Sequence, residues 1–410
     1  MTQSEKRRLF SKTFPVLLLF AIFAGMSVVG ALLLFDGSTS QAAEVMEKMV
    51  SEAEEPKLPE PSAVLVGVGD NLIHEAIYRQ AARRAGGKGY DFDYAYRNVK
   101  DIIQQADISS INQETVMAEG YGPSSYPYFN SPTQLGDYLA AMGFDVANLA
   151  NNHCLDKGEE GLRSTLGYWN RKKEVVTTGV FQDRKESLTP QIVERNGIRF
   201  AFVGATEYTN GLSLKKGSSL FIVRTQEEAF LRQQIEQAKS AADIVVVNIH
   251  WGVEYSPKPS RGQKALAAKM VDWGADIILG HHPHVLQPVE YVERADGTKG
   301  IVAYSLGNFI SAQDEGERMV SGALRVTVQK DLSTRAAGIS SVEFLPLVTQ
   351  YEKSFSNIRV YPISQYSDEL AKSHGVRAGK TPEFSMDYVR RVVEQAIPAE
   401  FLETEGIPVG

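Results

Sequence analysis

From Ala63 onward, short runs rich in valine and isoleucine alternate with longer segments patterned for helices, and most of these runs end on a residue able to do chemistry. The strand-like runs are "AVLVGVGD", "ISSINQE", "DVANLANNH", "RFAFVGATE", "DIVVVNIHWG", "DIILGHHPH" and "GIVAYSLGNF". Between them lie helix-like segments such as "NLIHEAIYRQAARRAG" and "SRGQKALAAKMVDWG". This alternation predicts a layered α/β domain. After Gly322, "ALRVTVQ" and "GISSVEFLPLVTQ" read as a second sheet, and Tyr351 to Gly410 is less regular, with one helix near Met386 to Ala396.

The polar residues sit just past the buried runs: Asp70, Glu114, Asn152 with His153, His250, and the triplet His281, His282 and His284. In open α/β sheets the carboxyl ends of the strands are where ligands bind. Five separated segments are therefore expected at one crevice. Six of the seven histidines lie in or beside these strand ends, and only His374 lies far from them.

Asp70, Glu114, Asn152, His250, His282 and His284 make a mixed oxygen and nitrogen donor set, which suits Mn, Zn or Fe better than Ca. Six protein ligands are too many for one catalytic ion with an open position. They suit two divalent metal ions about 3.5 to 4 Å apart sharing a carboxylate. In extended backbone, positions two apart project to one side, which selects His282 and His284 as ligands. His281 is left to support them or touch substrate. Taken singly each residue has a plainer reading, Asp70 as a helix cap and Asn152 as a turn residue among them. Asp156, three residues after His153, is placed to orient its ring or to cap the helix that follows. Cys154, the only cysteine, reads as a small apolar residue under a loop.

A net charge of −7 argues against a general nucleic-acid binder. At the start, Lys6, Arg7, Arg8 and Lys12 precede the uncharged run Val16 to Phe35. That run is about the ~20 residues needed to span a bilayer, and the flanking charge places the N-terminus inside; a signal peptide cleaved near Ala42 is the alternative, set against a run longer than the ~7 to 15 residues usual there. The expected organisation is a cytoplasmic basic start (1–15), a single-pass anchor (16–35), an extracytoplasmic stalk (36–61), a main domain (62–348) and a C-terminal extension (349–410).

The series "GVGDNLIH", "SSINQET", "ANLANNHCLDKGEEGL", "NIHWGVEY", "GADIILGHHPHVLQ" and "AYSLGNF" resembles the CapA/PgsA family of bacterial capsule and poly-γ-glutamate synthesis, which is in turn similar to the calcineurin-like metallophosphoesterases. The resemblance implies a four-layer α-β-β-α sandwich with metals at the sheet edge. It implies Asp70, Glu114, Asn152, His250, His282 and His284 as metal ligands and His153 as the proton donor or charge stabiliser. Two departures stand out: Leu72 occupies a position that is histidine in the metallophosphoesterases, with His74 the nearest substitute, and Glu114 replaces the bridging aspartate. Near the site, Glu254, Tyr255, Lys258 and Arg261 are candidates for substrate contact, and Asn308 for bonding the cluster or turning the chain.

Three functions fit these observations. The first is a membrane-anchored capsule or poly-γ-glutamate biosynthesis protein with a hydrolase-like site. In that role it would meet synthase subunits and an anionic polymer or phosphoester. The second is a general surface phosphodiesterase or nucleotidase, and the third a non-catalytic scaffold of a synthase complex.

Overall fold

The structure, a computed structural model, describes residues 60–402. The expected anchor and nearly all of the expected stalk lie outside the described residues. Among the described residues no helix is long and apolar enough to cross a membrane.

Two mixed sheets form the centre. The larger has seven strands in the order Ser356–Pro362, Ala337–Glu352, Val320–Lys330, Ser62–Asp70, Ile108–Asn112, Val146–Asn148 and Val176–Thr178. The last four run parallel to one another, and the first three are antiparallel neighbours. The smaller sheet has six strands: Leu286–Glu293, Lys299–Leu306, Ile277–His281, Ile244–His250, Ile198–Thr206 and Gln191–Arg195. Its middle four are parallel. Parallel strands are covered on both faces, so they read as continuous apolar runs such as the fully buried Ile244–His250.

One apolar cluster fills the space between the sheets and reaches the helices over the larger one. A second lies on the outer face of the smaller sheet, under the helices Glu228–Ala241 and Arg261–Asp272. The result is a mixed α/β fold with sheet against sheet inside and helices outside. Near the strand ends the sheets approach closely: a Cβ on Gly69 would lie 1.9 Å from the Gly307 carbonyl oxygen. Gly69 of "GVGD" thus serves close approach of backbones, while Gly67 makes room for the Leu279 side chain, and the Asp70 N–H donates to the Gly307 carbonyl at 2.9 Å.

Two expectations change. The late strands do not form a sheet of their own: Val320–Lys330 pairs antiparallel with Ser62–Asp70, so they extend the first sheet. The second sheet comes instead from the middle of the chain. The boundary expected at 348 falls inside Ala337–Glu352, and the next strand is the edge of the seven-stranded sheet. The helix Met386–Ala396 occurs where its apolar spacing placed it.

Candidate metal centre

The parallel strands of both sheets end on the same side, and loops leaving them carry the polar residues inward. Asp70 and His250 are the last residues of their strands; Glu114 and Asn152 follow within four residues of theirs. All are buried. His281 ends its strand, and the chain then turns with positive φ at His282 (95°) and His284 (59°). Their convergence therefore comes from a left-handed turn around Pro283, not from the two-residue alternation of extended backbone.

The six expected ligands form one contiguous group. His284 Nδ1 lies 3.0 Å from Asp70 Oδ2, and its Nε2 lies 3.6 Å from Glu114 Oε1. His250 Nε2 is 3.7 Å from the same Glu114 oxygen and 3.0 Å from Asn152 Oδ1. The His282 ring centroid is 4.7 Å from that of His250 and 5.9 Å from that of His284. Donor atoms of Asp70, Glu114 and His284 lie within 4.8 Å of one another, as do those of Glu254, His282 and His284.

The electrostatics of this group are unusual. Both oxygens of Glu114 are buried without a hydrogen-bond partner, and so is Nδ1 of His282. Burial, offset only in part by His284, pushes Glu114 well above the usual carboxylate range. Burial also opposes ionisation of Asp70, but the bond to His284 and its charge hold that carboxyl below its usual value. On His284 burial is overcome by Glu114 and Asp70, and the ring is raised to about 9. Burial, reinforced by neighbouring histidines, takes His250 well below its ordinary value and His282 to about 3. Neutral imidazoles are the form that ligates metal. Glu114, with no donor of its own, beside the neutral rings of His250 and His282 fits a cation, which would take the place of the proton that His284 now carries.

The flanking candidates separate clearly. His153 Nδ1 is 2.8 Å from Asp156 Oδ2, an oxygen that also accepts the Phe129 N–H. Asp156 is thus the orienter of the ring; the following helix is Gly158–Trp169 with Lys157 at its cap position. Asn308 bonds the cluster: its Oδ1 lies 3.0 Å from His284 Nδ1 and its amide donates to the His284 carbonyl. His281 sits behind Asp70, with Nδ1 3.7 Å from its carboxylate, and burial takes the ring to about 4. His74 lines the cleft beside His153 and His284, but its Nδ1 accepts the Ala312 N–H. Leu72 lines the same cleft. Glu254 and Tyr255 are also on its wall. Arg261 instead opens an exposed helix behind a Ser260–Gln263 capping box, away from the cleft lining. Cys154 is buried, and its thiol is pushed up to about 12 by burial, far from a nucleophile's range.

Sequence reasoning passed over Asn112, Asn148 and Arg318. The Asn112 amide donates to Asp70 Oδ1 and faces His250 Nδ1 at 3.3 Å, while Asn148 holds the Asn112 oxygen. The signal was present: two asparagines at the ends of fully buried strands need partners. Arg318 supplies the cleft's cation in place of Arg261.

The model of the bacterial capsule synthesis protein family PGA_cap matches residues 64–313, more than half of the chain. The chain belongs to this family. It is 42% identical over 178 residues to the PGA biosynthesis protein CapA of Bacillus subtilis (strain 168), covering 43% of this chain and 44% of that one. Against the capsule biosynthesis protein CapA of Bacillus anthracis it is 36% identical over 234 residues, 55% of each chain. The matches thus span about half the length of these curated relatives. The calcineurin-like phosphoesterase YfkN from Bacillus subtilis superposes with a TM-score of 0.40 at 12% identity, over 81% of this chain and 100% of that one. The family match takes in all six expected ligands, from Asp70 to His284.

Proposed function

We propose that this family member is a membrane-anchored, extracytoplasmic protein of capsule or poly-γ-glutamate biosynthesis whose cleft hydrolyses a phosphoester with two divalent metal ions. The observation that carries the site is Glu114, a buried carboxylate with both oxygens unpartnered amid His250, His284 and Asp70. Asp70, Asn152, His250, His282 and His284 complete the donor set, with Glu114 at its centre. Bound there, two ions would polarise a phosphoryl oxygen and make water acidic enough to attack phosphorus.

The remaining steps belong to the chain. Asn112 and Asn308 fix the orientation of Asp70 and His284. His153, with Nδ1 held by Asp156, keeps Nε2 to give a proton to the leaving oxygen. The apolar run 16–35 supports the membrane placement, and the family supports the capsule role, in which the protein would meet synthase subunits.

The test is hydrolysis of bis(4-nitrophenyl) phosphate by the full chain after loading with Mn, Zn or Fe. Asp156→Asn is expected to lower kcat by roughly 10- to 100-fold with metal content unchanged. Metal-loaded wild type with no activity on any phosphoester would sink the reaction proposed.

A further inference from the structure

Eight large apolar side chains are strongly exposed among the described residues, and five of them, Tyr126, Tyr128, Tyr208, Val253 and Tyr255, line two pockets that meet at the candidate metal centre. The pockets share Glu254 and Asn210 in their walls and have volumes of about 620 and 680 Å³. His282 belongs to one, and Asn152, His153 and His284 to the other. The rim rings adjoin the histidines: Tyr208 is 5.3 Å from His282 and Tyr255 is 6.0 Å from His284. Exposed aromatic clustering of this kind marks a binding surface.

Charge narrows the ligand. The lining carries the acids Glu254 and Asp314 against Arg318 and Arg224. Arg318 lies 3.5 Å over the Tyr255 ring and pairs with Glu315 at 2.9 Å. Arg224 donates to Thr209 Oγ1 and the Glu207 carbonyl. No row of unpaired cations runs along either pocket among the described residues, so a polycarboxylate chain would find few cations to pair with outside the central group.

We infer that the cleft binds a phosphodiester between two uncharged glycosyl-type units, one in each pocket, and does not hold a poly-γ-glutamate chain. This rests on the phosphoester reading above for the central group. Pockets on both sides of the centre leave room for a substituent on each ester oxygen, which a monoester lacks. The exposed rings of Tyr126 and Tyr128 suit the C–H face of a sugar ring, with Asn210 and Glu254 in the walls to meet its hydroxyls. A nucleobase would be expected in a more enclosed slot with paired donors and acceptors.

The experiment is calorimetric binding to the full chain, in detergent and with its metal content measured. The probes are a diglucosyl phosphodiester, a dinucleoside monophosphate, and a short poly-γ-glutamate oligomer. The expected result is tightest binding of the glucosyl phosphodiester, no displacement of it by poly-γ-glutamate, and about tenfold weaker binding in Tyr126→Ala/Tyr128→Ala with metal content unchanged. Tyr208→Ala, on the opposite pocket, should weaken binding independently. Displacement by poly-γ-glutamate, preference for the dinucleoside monophosphate, or wild-type affinity in both tyrosine variants would overturn the inference. A wild type without metal that still binds the glucosyl probe would instead count against the hydrolase reading.

Discussion

The two ends of the parallel strands treat their carboxylates in opposite ways. At the amino ends, Asp107, Asp145, Asp243 and Asp276 each stand one residue before a strand and accept the backbone N–H of a neighbouring strand: Val64, Ser109, Arg199 and Val245 at 2.8 to 2.9 Å. Three of them also meet a cation, Asp145 with Arg195, Asp243 with Lys330, and Asp276 with Lys239 and Arg294. At the carboxyl ends, Glu114 has no donor at all and Asp70 faces histidines. The carboxylates at the first end are met by donors, whereas Glu114 at the other has none and lies among groups that could hold a metal ion. The same contrast holds for histidines. His374 is buried with Nδ1 accepting the Val376 N–H and Nε2 donating to the Thr349 carbonyl, whereas His282 has an unpartnered Nδ1.

This contrast can be broken by substitutions at each end. Asp276→Ala should be the most damaging, costing about 3 to 4 kcal/mol in a denaturant titration, because the Val245 N–H loses its acceptor and the largely buried Arg294 its carboxylate. Metal content should not change.

The satisfied histidine gives the next effect. Burial lowers His374 from 6.5 to about 4. Between those values the unfolded chain binds more protons, so stability rises with pH there and is lost as pH falls from 6.5 toward 4. The shift corresponds to roughly 3 kcal/mol of pH-dependent stability, which a His374→Gln variant should lack when its unfolding is followed across pH 4 to 7.

The smallest effect belongs to the incomplete end. Glu114→Gln should change the stability of the metal-free protein by only about 1 kcal/mol, in the stabilising direction, since it removes a buried carboxyl that no donor satisfies. Loss of several kcal/mol in the metal-free state would show that Glu114 is structural, like Asp276.

Much of the site was legible because ligands and strands are read by the same pattern: an apolar run names the strand, and its last polar residue names the edge. Asp70 and His250 follow that rule directly. Asn308 was legible as a candidate but its role was not, since only the fold brings it to His284 across the loop. Arg261 and Arg318 show the limit. Both are arginines near cleft-forming segments, and nothing in local spacing says that one opens an exposed helix while the other stacks on Tyr255. The late strands failed for a related reason: antiparallel pairing of Val320–Lys330 with Ser62–Asp70 joins residues more than 250 positions apart, and periodicity carries no information about partners.

The central claim is that the carboxyl-end cluster is built around cations. Elemental analysis of the full chain, purified with and dialysed against Mn, Zn or Fe, tests it most directly. Two tightly held ions per chain are expected, with loss of at least one in Glu114→Gln and no loss in Asp276→Ala. Wild-type protein that holds no metal and melts at the same temperature with and without added ions would contradict the account.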